Sequence, residues 1–174
     1  MRVIVVDYHT EWPKLFEKEC QKLAAIFKNE LVDIHHIGST SVEGLAAKPI
    51  IDILPVVKSI ENVDALTVKM NEIGYEALGE FGIAGRRYFR KGENLRTHQI
   101  HVFQEDNHYD ITRHLAVRDY LRVHSEKSKL YGDLKKKLAN AFPDEIECYI
   151  DGKNLFVKAL EEEALSWYEV KHRG

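Results

Sequence analysis

His36-Ile37-Gly38-Ser39-Thr40-Ser41-Val42-Glu43-Gly44-Leu45-Ala46-Ala47-Lys48-Pro49-Ile50-Ile51-Asp52-Ile53-Leu54 reads as two strands joined by a turn of small residues. Residues 31–37 alternate, with Val32, Ile34 and His36 on one face, which predicts a strand. The segment from Gly38 to Ala47 is rich in small residues and turns the chain. Ile50-Ile51-Asp52-Ile53-Leu54 is a short, nearly continuous apolar run whose β-branched content favours a buried strand over a helix.

Outward from this unit the pattern changes to helical on both sides. Upstream, Thr10-Glu11-Trp12-Pro13 reads as a helix start, with Thr10 as cap and proline in the first turn. Leu15, Phe16, Leu23, Ile26 and Phe27 carry helical spacing to about Lys28. The opening apolar run of residues 1–6 is too short for a signal-peptide core and suits an edge strand. Downstream, a helix is expected over roughly 61–73, closed by Gly74, then strands at Tyr75–Leu78, Arg86–Arg90 and Arg96–Gln104. The last third reads as helices near 108–122, 126–141 and 144–168. The expectation is an α+β fold: one domain over 1–174, with a helix and mixed sheet to about residue 105 and a helical part over 106–174.

Composition sets limits on function. The chain has 174 residues, 44% hydrophobic and 30% charged, with a net charge of −3, values ordinary for a globular domain. No run approaches the roughly 20 apolar residues of a membrane span, and the acidic balance argues against general nucleic-acid binding. Cys20 and Cys148 make no disulfide framework and no metal quartet, so both are expected as buried free thiols in a cytoplasmic protein. Charge is uneven, however: residues 86–137 hold thirteen Lys/Arg against seven Asp/Glu. Such a segment either attracts an anionic ligand or forms solvated helix faces.

The turn has the parts of a phosphate-handling unit. Gly38 lets a backbone approach a bulky anion closely. Ser39 and Thr40 add hydroxyls, and turn N–H groups can point at phosphate oxygens. Lys48 can neutralise charge as a point cation. Asp52, flanked by Ile51 and Ile53, sits where an ionised group is expensive unless partnered. It is read either as a ligand of Mg²⁺ shared with substrate phosphates or as the partner of Lys48 in a structural ion pair.

The run Ile37 to Ile53 resembles the signature of the GrpB family, and further agreement extends over nearly the whole chain: Tyr8 with Glu11-Trp12, Gly74-Tyr75, Arg87-Tyr88-Phe89, Arg96-Thr97-His98, His101-Val102, Arg118-Asp119-Tyr120-Leu121-Arg122, and Tyr149 with Lys153. The resemblance implies a nucleotidyltransferase-superfamily fold, in which a Gly-Ser turn precedes a strand bearing an Asp-x-Asp pair that binds two metals about 4 Å apart. Asp52 matches the first acid of that pair, whereas Leu54 stands at the second. GrpB-like domains also occur fused to dephospho-coenzyme A kinase, which implies a connection to coenzyme A.

Among nine histidines, His36, His98 and His101 stand out. Strand parity puts His98 and His101 on opposite faces and sets Gln99, His101 and Phe103 on one. The superfamily that the chain resembles often places a third acid on a later strand, so the resemblance implies that His101 faces Asp52 across the sheet, as metal ligand or proton carrier. Arg118 and Arg122 share a helix face, with Asp119 as a partner for Arg122; with Arg87 and Arg96 they offer bidentate contacts for phosphate or form an ion-pair array. Lys153 falls on the inward stripe of the last helix, Ile146, Tyr149, Phe156, Leu160 and Ala164, so it either reaches solvent along its stem or meets an anion. The Lys135-Lys136-Lys137 run reads as decoration of a solvated face.

Two functions are expected, ahead of a third, metal-assisted hydrolysis by Asp52 with His101, for which the ligands are too few. One is a Mg²⁺-dependent transferase that moves a nucleotidyl or phosphoryl group to a small acceptor, with Asp52 and His101 catalytic. The other is a module that holds a nucleotide or phosphorylated metabolite without turnover, which Leu54 favours. Both engage a small anionic ligand through Gly38, Ser39, Thr40, Lys48, Arg87, Arg118, Arg122 and Lys153, and neither engages nucleic acid or a membrane.

Overall fold

The structure is a computed structural model that describes residues 2–173. Five strands form one sheet: β1 (Leu31–Ile37), β2 (Ile51–Val57), β3 (Tyr75–Ala77), β4 (Arg87–Lys91) and β5 (His98–Gln104), in the order β1-β2-β5-β4-β3. Only β2 and β5 are parallel; the other neighbours are antiparallel, with a register irregularity in β1 between Leu31 and Asp33. The helices are α1 (Trp12–Phe27), α2 (Thr67–Glu72), α3 (His108–Val123), α4 (Ser125–Ala141) and α5 (Ile146–Lys171). The mixed sheet with helices on either side of it in sequence is the α+β class expected from the pattern.

The chain folds as two compact units. The sheet unit comprises Glu11–Ile37 and Ile50–Ile111; the helical unit comprises the stretch up to Thr10, Gly38–Pro49 and the chain from Thr112 onward. Each has its own reason to hold together. In the sheet unit, β2 is buried along almost its whole length, with Ile53, Leu54 and Val57 at 0% exposure, and so are Ile100, Val102 and Phe103 of β5. Strands covered on both faces read as continuous apolar runs, which is why Ile50–Leu54 lacks alternation. Pro55 brings no N–H to the ladder, and Leu54 and Pro55 make no pair with β5, while the register is the same on either side of them. Helix α1 packs on β1 and β2, burying Trp12, Leu23 and Phe27 together with the carboxylate of Glu19.

The helical unit has two apolar clusters. Val42, Leu45, Leu121, Tyr131 and Leu160 make one, with Val117, Tyr120, Phe156 and Val157 around it. Val3, Ala139 and Tyr149 make the other, flanked by Val5, Leu138 and Ile146. A Cβ at Gly132 would meet Leu45 and Ala46 at ordinary contact distance, 3.4–3.6 Å, so α4 packs on this loop without requiring the glycine.

Local chemistry changes several expected boundaries. The helix expected over 61–73 is a 3-10 helix at Ile60–Leu66 followed by the single short α2. Thr10 does not cap α1; the capping position is Glu11, without a side-chain hydrogen bond, and proline alone marks the first turn. The expected N-terminal edge strand reduces to one antiparallel bridge, Val6 to Ala47, and Met1 lies outside the described residues. The two thiols are half-buried and free rather than fully enclosed; burial, with the nearby Glu17 and Glu19 charges, pushes Cys20 up to about 12. No helix among the described residues is long and apolar enough to cross a membrane.

Candidate functional site

Each unit gathers a distinct set of polar groups. In the helical unit, Gly38 has a positive φ of 73°, a conformation that glycine adopts without strain, and the chain then makes a 3-10 turn at Ser39–Ser41. Two interactions fix this turn. The Ser41 hydroxyl donates to the Gly38 carbonyl, and Arg122 donates from Nε and one terminal nitrogen to the Ser41 carbonyl at 3.0 and 2.8 Å. The Arg122 guanidinium is thus a clamp on the turn backbone. Thr40 is buried beneath it, at 1% exposure.

Lys135 meets this turn from α4. Ser128, Tyr131, Gly132, Lys135 and Ala139 form the buried stripe of that helix, so the helical period, not the lysine run, governs this residue. Lys135 is 2% exposed, its Nζ lies 2.8 Å from Ser39 Oγ, and its ammonium sits 4.3 Å from the Tyr131 ring centroid. This corrects the reading of Lys135 as solvated decoration: only Lys136 and Lys137 of the run are exposed, and Lys136 pairs with Asp7. Burial first, then the positive charges of Lys153 and Lys48, push the Lys135 ammonium down to about 6. Lys48 and Lys153 both lie over the Tyr149 ring, at 5.4 and 5.1 Å. Tyr149 is fully buried, and its hydroxyl has no hydrogen-bond partner among the described residues. A neighbouring groove of about 380 Å³ has mixed charge, Asp7 and Asp133 against Arg122 and Lys136, and so has no preference for anions.

The sheet unit holds the carboxylate. Asp52 lies at the start of β2, in register with Ile37 of β1 and Gln99 of β5. His101 Nε2 is 3.0 Å from Asp52 Oδ1, where the family resemblance implied it, and both side chains are largely shielded. Arg86, 7% exposed, extends one terminal nitrogen to 3.3 Å from His101 Nδ1. Its other donors reach the Glu80 and Phe81 carbonyls at 3.2 and 2.9 Å, and its guanidinium stacks 4.8 Å from the Tyr88 ring. Residue pattern gave no pointer to Arg86, which the expected strand at Arg86–Arg90 set at a strand end beside Arg87; β4 begins one residue later.

The other candidates are engaged elsewhere. Arg87 forms a two-point pair with Asp64 at 2.7 and 3.3 Å. Arg118 donates to Asp119 at 2.8 Å, and Arg122 approaches Asp119 only to 4.0 Å. Arg96 donates to the Gly92 carbonyl. His36 stacks on Phe16 at 4.7 Å with an interplanar angle of 8°. His98 lies 3.7 Å from the buried Glu19, which also receives the Tyr75 hydroxyl at 2.8 Å and Lys91 at 2.6 Å.

For Mg²⁺ the donors are few. Asp52 supplies one carboxylate, and Leu54, one pleat along the same face, is apolar and 0% exposed. No cluster of three or more His, Cys, Asp or Glu side chains suited to a metal occurs among the described residues. Such a set fits one ion that draws its remaining oxygens from a ligand and from water; it does not fit the two-metal clamp.

Residues 2–163 match the family described as GrpB protein. The chain belongs to the GrpB family. It is 37% identical over 163 residues to the glutamate-rich protein GrpB of Alkalihalophilus pseudofirmus, covering 91% of this chain and 93% of that one. It is 48% identical over 166 residues to the UPF0157 protein YqkA of Bacillus subtilis; that match covers 95% of this chain and spans about half of YqkA, 48%. Among solved structures, the conserved protein GrpB from Enterococcus faecalis superposes with a TM-score of 0.93 at 51% identity, covering 95% of this chain and 99% of that one. The Cid1 poly(U) polymerase with Mg 3'-dATP bound gives a TM-score of 0.55 at 12% identity, over 77% of this chain and 43% of that one. At that identity the likeness concerns the fold, which is the nucleotidyltransferase fold.

Proposed function

We propose that the lysine-lined turn of the helical unit binds a small polyphosphate-bearing ligand, a nucleotide or a phosphorylated metabolite. The observation that carries this reading is Lys135: a lysine at 2% exposure, under the influence of Lys153 and Lys48, on the hydroxyl of Ser39. Burial and two nearby lysines disfavour the Lys135 ammonium, and a bound anion would favour it. The buried Tyr149 hydroxyl adds a donor of the kind a phosphate oxygen accepts.

Transfer of a nucleotidyl group is the second reading, favoured by Asp52 on β2 of a nucleotidyltransferase fold. In that reaction an acceptor oxygen bonds to the α-phosphorus, the α–β phosphoanhydride bond breaks, pyrophosphate leaves with its electron pair, and the acceptor's proton is released. Fold alone does not carry chemistry, and Leu54 in place of a second acid weighs toward the binding module.

Calorimetric titration of the full chain with ATP, CTP, coenzyme A and inorganic tripolyphosphate, with and without Mg²⁺, separates these readings. Saturable binding of tripolyphosphate is the expected result, because the lysine cluster recognises the phosphate chain. Pyrophosphate released in the presence of an acceptor favours transfer, and binding without release favours the module. Failure of all four to bind overturns the proposal.

A further inference from the structure

The Asp52 centre has an internal logic that stands whether or not the lysine cluster binds phosphate. An imidazole has two nitrogens, and in the neutral ring one donates while the other accepts. Arginine donates and never accepts. The Arg86 nitrogen 3.3 Å from His101 Nδ1 therefore requires a lone pair on Nδ1. The ring's proton is then on Nε2, which lies 3.0 Å from Asp52 Oδ1 and donates to it. Arg86 cannot easily turn away, since the Glu80 carbonyl, the Phe81 carbonyl and the Tyr88 ring hold its remaining groups in a nearly closed environment.

We propose that Arg86 is the positioning residue of this centre: by donating to His101 Nδ1 it fixes the Nε2–H tautomer, so His101 orients Asp52 and leaves Asp52 Oδ2 as the oxygen that meets a ligand. Both imidazole nitrogens are engaged in this arrangement. His101 then has no lone pair for a metal and none to take a proton from an acceptor hydroxyl. The centre presents one oriented carboxylate oxygen, suited to a single divalent cation or to a ligand hydroxyl. The assignment of His101 as ligand or proton carrier is replaced by that of a residue acting through Asp52.

Two-bond ¹H–¹⁵N correlation spectra of the full chain labelled with ¹⁵N-histidine test this directly. The wild-type protein is expected to show His101 as a single tautomer protonated on Nε2, and Mg²⁺ is expected to leave that proton in place. Asp52→Ala should keep the same tautomer, because Arg86 then sets it alone, whereas adding Arg86→Met to Asp52→Ala should give a mixture of tautomers. A wild-type ring protonated on Nδ1, loss of the Nε2 proton on adding Mg²⁺, or a tautomer that changes in Asp52→Ala would each overturn the proposal. The wild-type spectrum is decisive by itself, so misfolding of the double variant would not shield the proposal.

Discussion

Lys135→Met should weaken polyphosphate binding sharply while making the ligand-free protein more stable. Truncating one member of a desolvated charged contact costs about 2–5 kcal/mol, so the affinity for tripolyphosphate should fall by roughly 30-fold or more. The stability change has the opposite sign. Lys135 is 2% exposed, and an apolar side chain of similar length carries none of the cost of burying its ionisable amine. A structural lysine would show the reverse: lost stability and unchanged binding.

Proton linkage sharpens this expectation. The folded-state value of Lys135 is lowered from the ordinary 10.5 to about 6 by burial and by Lys153 and Lys48. Below about 6 both folded and unfolded chains carry the charge, and no increment arises. Between about 6 and 10.5 the unfolded chain binds the proton that the folded chain lacks, so the stability of the ligand-free protein should rise with pH across that window. Lys135→Met should lack that rise. An anion favours the ammonium form, so ligand binding at pH 7.5 should take up a proton, and affinity should weaken as pH climbs above 6. Thermal unfolding across pH, with calorimetry in two buffers of different ionisation enthalpy, checks both statements.

Glu19→Ala should be the most damaging substitution in the sheet unit. Its carboxylate, 3% exposed, receives Lys91 Nζ at 2.6 Å and the Tyr75 hydroxyl at 2.8 Å, with Lys22 and His98 each at 3.7 Å. These partners tie α1 to β3, β4 and β5. Removing the acid strands a buried hydroxyl and a shielded ammonium, a loss that typically costs about 3–5 kcal/mol. Denaturant unfolding of the wild type and variant reads this out, and a difference below about 1 kcal/mol would show that the network carries no weight. Burial by itself would raise the Glu19 carboxyl, but hydrogen bonds from Lys91 and Tyr75, with the charges of His98 and Lys91, outweigh it and hold the carboxyl below its ordinary value. The sign follows: this stability is present above the unfolded-state value of about 4.5 and is lost as pH falls through the lower folded-state value.

Period and parity made much of the fold legible. The β-branched run at Ile50–Leu54, the glycine-bounded strands and the helical last third all rest on local preference, and the family signature runs through them. His101 facing Asp52 came from the family resemblance; counting pleats only set it on the face opposite His98. The residues that escaped are those whose partners are distant in sequence. Lys135 sits inside a lysine run, yet its place four residues after Tyr131 and four before Ala139 puts it on the inward stripe of α4; the composition of the run masked its spacing. Glu19 falls among α1 residues that read as polar, and its partners Tyr75, Lys91 and His98 lie more than fifty residues on. Arg86 gains its role from a loop whose carbonyls it gathers, and no spacing encodes that. The region over 61–73 failed for a different reason: Asn62, Val63 and Thr67 are weak helix formers, and the segment settles into a 3-10 helix with one short α-helix.

Lys135, buried against Ser39 with its ammonium form disfavoured, is expected to take up a proton when a phosphate chain binds. The most direct measurement is a carbon-detected NMR titration of ¹³Cε-labelled lysines with inorganic tripolyphosphate at pH 7.5. The account predicts that one lysine signal, absent in Lys135→Met, begins at the position of an uncharged amine and moves to that of an ammonium as the ligand saturates. A Lys135 signal already charged without ligand, or one unmoved while tripolyphosphate binds, would contradict it.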